Sequence, residues 1–307
     1  MTVHAALTEG EFSLENSLKL AARLALKLDT TLVGVSAMPD PARAMLMTGV
    51  SMHGVMIATG GTLADGIRDA QKEAREKLET LFHKVCNDEG VPVEKRKIEH
   101  EIGLPSEVYP RISMLSDAFV TPHECVTDGS DHGLAFESIL LDKRLPVIAC
   151  GTDEPAHYGT VIIAWDGSPE AARAVRFHTP VLKAADRIII AQNSNRIDAQ
   201  DRNGSEDPAF VQAYLERFGI ASEATNFNGN VAEGLLKLAS DESAGIIIAG
   251  AYGHNRLEEF IFGGVSKSLL RADQGPALAL AHEAGSTTSI AGVPASAGSP
   301  LVTRPSD

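Results

Sequence analysis

Residues 245–266 read GIIIAGAYGHNRLEEFIFGGVS. An unbroken apolar run leads into a segment holding Gly250, Gly253, Gly263 and Gly264. Short Ile runs without alternation are typical of strands covered on both faces. Glycines at the carboxyl end of such a strand let the chain turn sharply, or let another group lie against the backbone. Two residues separate Gly250 from Gly253, and nine separate Gly253 from Gly263. Gly264-Val265-Ser266 then opens an expected helix over 264–273, whose free N–H groups and dipole favour phosphate oxygens. The pattern is neither GxxxxGK[ST] nor a dinucleotide GxGxxG after a first strand.

The flanking sequence repeats one grammar. TVIIAW (160–165) predicts a strand ended by DGSP (166–169), a turn and helix start. PEAARAVRFHTPVLKAA (169–185) has helical spacing at Ala172, Val175 and Leu182. RIIIAQN (187–193) predicts a second strand, 194–208 a polar loop, and PAFVQAYLERFG (208–219) a helix closed by Gly219. IASEATNF (220–227) alternates as a strand, NVAEGLLKLASDES (230–243) is a helix capped by Asn230, and PALALAHE (276–283) is the last strand. Strand–helix alternation with right-handed crossovers gives a doubly wound, Rossmann-like domain.

The first half follows less cleanly. A helix is expected over 13–29, a strand over 30–37 and a Met- and Gly-rich connection over 38–62. A long helix over 64–90, the stretch 93–103 and a helix near 105–116 come next. DAFVTPHE (117–124) stands where GIIIAGAYG stands later, and SILLDKRLPVIACG (138–151) parallels KSLLRADQGPALALAHE (267–283). These paired endings argue for an internal repeat, with the boundary near 151–158. The Gly-, Ser-, Ala- and Pro-rich stretch 284–307 is expected to be a disordered tail.

The whole chain narrows the function classes. Its 307 residues fit two domains, and 44% hydrophobic residues supply ordinary cores. A net charge of −14 disfavours nucleic acid and anionic membranes as partners. No apolar run is long enough to span a bilayer, and MTVHAALTEGEF lacks signal-peptide character, so a cytoplasmic protein is expected. Cys86, Cys125 and Cys150 are too few and too scattered for a disulfide framework or zinc knuckle, and read as reduced thiols.

With Asp166 at the end of a first strand, the glycine spacing resembles the universal stress protein family in its tandem-domain form. Nucleotide-binding members carry Gly-x2-Gly-x9-Gly-[Ser/Thr] after the fourth strand and an Asp after the first. The resemblance covers 160–283, with 1–150 as a degenerate copy. It implies two tandem Rossmann-like domains of the adenine nucleotide alpha hydrolase-like kind, over 1–151 and 158–283. Each would be a five-stranded, mainly parallel sheet with helices on both faces. It also implies an adenine nucleotide, ATP with or without Mg2+, in the second domain. Asp166 would meet the adenosine, and Gln192 or Asn193 would lie near the base. Gly250 belongs to the same motif, and Gly253, Gly263, Val265 and Ser266 would hold the phosphates. Gly264 replaces the family's Ser/Thr, a loss of roughly 0.5–1.5 kcal/mol or about tenfold in affinity, for which Ser266 offers a substitute. The first domain has Glu9 in place of Asp and its glycines, Gly129 and Gly133, at the wrong spacing, so no nucleotide is expected there.

By the same resemblance, 147–150 and 277–281 would pair at sheet edges, giving an intramolecular pseudo-dimer, with a homodimer as a further option. The implied role is in stress response or regulation through unknown protein partners, with at most slow ATP hydrolysis. Two other readings stay open: a nucleotide-free scaffold, and an ATP-dependent enzyme of the wider adenine-nucleotide-binding group. The enzyme needs an SGGxDS-type loop, which DGSPEA (166–171) is not.

Other clusters have simpler explanations. His123, Glu124, Cys125, Asp128, Asp131 and His132 match no zinc spacing and read as a polar loop. His254 could donate to phosphate or sit exposed, and Arg256 most simply pairs with Glu258 or Glu259. Met45, Met47, Met52 and Met56 suit covering the sheet edge of the first domain, or packing between the two halves, better than lining a lipid or apolar-ligand pocket. Trp165 is expected to pack beneath the crevice. No GxSxG, HExxH or Cys-His arrangement marks a catalytic centre.

Overall fold

The structure is a computed structural model describing residues 2–8, 14–47, 56–127, 130–151, 159–194, 207–251, 268–270 and 275–282, without the side chains at 45–47, 56–63, 124 and 127. The first half comprises β1 (Thr2–Leu7), α1 (Leu14–Lys27), β2 (Thr31–Met38), α2 (Pro41–Met47), α3 (Met56–Asp88), β3 (Arg96–Ile102), α4 (Pro105–Ser113), β4 (Ala118–Pro122), α5 (Glu124–Thr127), α6 (Asp131–Glu137) and β5 (Val147–Cys150). The second comprises β6 (Thr160–Ala164), α7 (Pro169–Phe177), α8 (Thr179–Ala184), β7 (Arg187–Asn193), α9 (Pro208–Glu216), β8 (Glu223–Phe227), α10 (Val231–Asp241), β9 (Ile246–Ala251) and β10 (Ala277–His282). Residues 268–270 are helical as well.

The strands form one ten-stranded sheet in the order β3-β2-β1-β4-β5-β10-β9-β6-β7-β8. Read from either edge toward the middle, both halves have the same order. Every described pairing within a half is parallel. The halves join where β5 pairs antiparallel with β10, Ala149 opposite Leu278 and Val147 opposite Leu280. The two five-stranded sheets thus form one continuous sheet. Pairing the inner edges satisfies backbone groups that would otherwise template association.

Helices cover both faces. α1, α3, α7, α8 and α9 share one apolar core, in which Leu18, Phe82, Val181 and Leu215 are fully buried or nearly so. α4, α6, α10 and residues 269–270 cover the other face through Val108, Phe136, Leu235 and Leu269. Both cores run from one half into the other.

Several expected boundaries shift. The stretch 38–62 is not a plain connection: α2 lies within it and α3 starts at Met56. Asp40 accepts from the N–H groups of Ala42 and Arg43, with Pro41 in the first turn, a helix start inside an apparently loop-like composition. The helix expected over 169–185 breaks at His178 into α7 and α8, because Pro180 cannot continue the backbone ladder. Asn230 caps α10 as expected, accepting from Ala232 and Glu233. α9 ends at Glu216, ahead of Gly219 at φ +72. Among the described residues no helix is long and apolar enough to cross a membrane. Of the boundary expected near 151–158, residues 152–158 lie outside the described residues, as does the tail 284–307.

Candidate functional site

The site builds from the point where the strand order reverses. β7 lies on one side of β6 and β9 on the other, so the crevice between β6 and β9 opens at their carboxyl ends, where open α/β sheets bind ligands. Ile163 of β6 is level with Ile248 of β9, and Ala164 with Ala191 of β7. This parallel register carries Asp166, Gly250 and the pair Gln192-Asn193 to one edge. Trp165 N–H donates to Ala191 O at 2.9 Å, extending the β6–β7 ladder by one step. Its ring is buried in the core beneath, as expected.

Asp166 then leaves the sheet and is exposed. Its Oδ1 accepts from Ser168 N–H at 3.0 Å, an Asx turn, and Gly167 supplies φ +76. Ser168 Oγ in turn accepts from Ala171 N–H at 3.1 Å and caps α7, with Pro169 at the first helical position. The turn and helix start expected at DGSP (166–169) are thus built by Asp166 and Ser168.

Gly250 has a steric reason within the fold. A Cβ there would stand 2.7 Å from Ala171 N, Glu170 C and Glu170 Cβ. The first turn of α7 therefore rests directly on β9, and the missing side chain makes room for the helix. Gln192 and Asn193 are buried at the end of β7. Asn193 Nδ2 donates to Gly229 O at 2.9 Å, tying the strand end to the turn before α10. Asp166, Gln192, Asn193 and Gly250 thus share one rim. Gly253, Gly263, Gly264, Val265 and Ser266 lie outside the described residues, as do His254 and Arg256.

The corresponding rim of the first half carries a polar network of its own. Ser36 of β2 is level with His100 of β3, and Ser36 Oγ meets His100 Nδ1 at 2.7 Å. The other imidazole nitrogen, Nε2, meets Glu79 Oε1 of α3 at 2.7 Å. In the second half this register position holds Gln192 level with Asn226. The buried Tyr109 hydroxyl donates to Leu7 O at the end of β1. No sequence pattern marked this network, because its members come from three separated elements.

The polar loop after β4 is similarly committed. Asp131 accepts from both N–H and Oγ of Ser106, holding the first turn of α4. His123 is buried and its N–H donates to Cys150 O. The His132 ring lies 6.1 Å from that of Tyr109. Among the described residues no group of three or more His, Cys, Asp or Glu is gathered for a metal. Asp128, Met52 and Glu9 lie outside the described residues, and so do the side chains of Glu124, Met45, Met47 and Met56.

Strand order and rim together define a doubly wound α/β protein with its crevice at the topological switch point. Residues 157–279 match the family model of the universal stress protein family. Within that segment the chain is similar to this family. A universal stress protein of Synechocystis sp. is 24% identical over 121 residues, 38% of this chain and 41% of that protein. The chain therefore spans about two-fifths of that relative's length. The crystal structure of a universal stress protein from Archaeoglobus fulgidus superposes with a TM-score of 0.59 at 14% identity, over 92% of this chain and 98% of that one. A functionally unknown protein from Pseudomonas aeruginosa gives 0.50 at 12% identity, over 92% of both chains. At such identities these likenesses concern the fold.

Proposed function

We propose that the second half binds an adenine nucleotide, ATP or a relative, in the crevice between β6 and β9, and acts in stress response or regulation through conformation and protein partners. The observation that carries this reading is the meeting of Asp166, Gly250 and the Gln192-Asn193 pair at one switch point, the edge where open α/β sheets bind ligands. The exposed Asp166 carboxylate, one oxygen held by the turn, is poised for ribose hydroxyls, and Gln192 or Asn193 faces the base. Mg2+ would accompany the phosphates. The first half stays empty, its rim occupied by Ser36, His100 and Tyr109. The two halves act as a pseudo-dimer about the β5–β10 seam, as domains over 1–151 and 158–283 of a cytoplasmic protein.

The test is equilibrium binding of ATP to the full chain, with Asp166→Ala and Gly253→Val alongside. Micromolar affinity weakened by both substitutions supports the reading. Absence of binding at millimolar ATP overturns it in favour of a nucleotide-free scaffold. One observation favours that second reading: Gly250 is already explained by the packing of α7.

A further inference from the structure

The seam consumes β5 and β10, so among the described residues the ten-stranded sheet ends at β3 and β8. An edge strand presents a row of backbone N–H and C=O groups to whatever can pair with it. β8 carries one charged residue, Glu223, tied to Arg187, and no pattern of sign. β3 differs. All seven of its residues are in register with β2, none skipped, so its edge carries no bulge.

The side chains of β3 alternate between two faces. Ile98 and His100 face α3: Ile98 packs on the core there, and His100 meets Glu79. Lys97, Glu99 and Glu101 face α4, whose Arg111 Nη2 donates to Glu101 at 2.8 Å. Lys95, in the 3-10 turn Val93–Lys95 just before the strand, continues that spacing. The α4 side of this edge therefore reads Lys-Lys-Glu-Glu. Two large aliphatic side chains flank it, Val93 at 73% and Ile102 at 74% exposure.

Charges on an edge usually deter pairing, because a second copy sets like against like. This order does the reverse. Turned antiparallel about Ile98, the strand sets Lys97 opposite Glu99 of the second copy and Lys95 opposite its Glu101, each pair occurring twice by symmetry. Ile98 meets Ile98, and Ile102 comes within one residue of Val93. Parallel pairing in register, or an antiparallel shift that puts Glu99 opposite itself, creates like-charged pairs. In the single chain Lys97 meets Glu99 at 2.5 Å and Lys95 meets Asp29, exposed pairs of small worth that a second copy can join or exchange. Two copies of charge −14 repel at long range. Salt screens that repulsion beyond about 8 Å, whereas opposed side chains in a sheet stand about 5 Å apart.

We propose that β3 is a homodimer edge, two chains pairing antiparallel through it about Ile98 so that one sheet runs through both copies. Sedimentation equilibrium of the full chain tests this: the 32.5 kDa mass doubles as concentration rises through the micromolar range. Lys97→Glu alone and Glu99→Lys alone each create two like-charged pairs across the twofold, and each raises the dissociation constant about tenfold or more. Both substitutions also break the Lys97–Glu99 pair within the strand, so the two variants mixed in equal amounts supply the control. Each restores the opposite charges the other lacks, and mixed dimers form where neither variant dimerises alone. On the unmodified protein, amide exchange in β3 slows as concentration rises. A 32.5 kDa mass at every concentration up to about 0.5 mM overturns the proposal. So does an affinity unchanged by either substitution, or a mixture that associates no more tightly than its components.

Discussion

Acidification should weaken this fold through His178. The residue sits at the break between α7 and α8, 1% exposed. Its N–H donates to Ala174 O, and its carbonyl accepts from Leu182 N–H. Nε2 lies 3.1 Å from Leu280 O, and a carbonyl only accepts, so Nε2 bears the proton. Leu280 is level with Val147, so this bond ties the helix break to the seam between the halves. Burial disfavours the imidazolium and lowers the pKa from 6.5 to about 4, the Leu280 bond opposing only in part. Above 6.5 both native and unfolded chains are neutral here, and the full stability is present. As pH falls from 6.5 toward 4 the unfolded chain takes up the proton first, so stability declines. At pH 4.5 the unfolded histidine is almost wholly protonated and the native one about a quarter, a loss of about 2.5 kcal/mol. Urea unfolding at pH 7 and pH 4.5, for the protein and for His178→Gln, isolates this contribution from the carboxylates. Glutamine can still donate to Leu280 O but does not titrate, so the variant's loss should be smaller by about that amount. Equal losses in both proteins, or a His178 NMR titration near 6.5, would refute the reasoning.

Three further outcomes follow from packing and backbone geometry. Gly250→Ala should cost about 1–3 kcal/mol in urea unfolding, because the new methyl meets α7 backbone and not a yielding side chain. Ser243→Gly should raise stability by about 1 kcal/mol, since Ser243 holds φ 50, a left-handed conformation glycine adopts without strain. Cys86 is buried and its pKa is pushed up to about 11 by that burial, so maleimide labelling at pH 8 should be slow until urea unfolds the chain. Rapid labelling of the native protein at Cys86 would contradict the packing of α3.

Much of the fold was legible because its signals are local. The runs TVIIA, RIIIAQN and IIIAGA are strands within a residue or two of their expected limits, since strands buried on both faces are written as continuous apolar sequence. The Asn230 cap was readable for the same reason: its acceptor and donors lie within three residues. α2 was missed because Met, Gly and Ala composition obscured the Asp40-Pro41 start. At the site, Asp166 could be placed at a strand end from sequence. The reason for Gly250 could not, because the atoms it makes room for belong to Glu170 and Ala171.

The sequence by itself settled the alternation of strands and helices, the doubly wound class and the edge on which Asp166 falls. Tertiary structure alone decided the antiparallel register of the β5–β10 seam, the contact of Ser36 with His100 in the first half, and the partner of His178, 102 residues away. Periodicity and caps act over a few residues and leave their mark in the order of letters. Contacts between distant segments depend on three-dimensional packing, which no local pattern encodes.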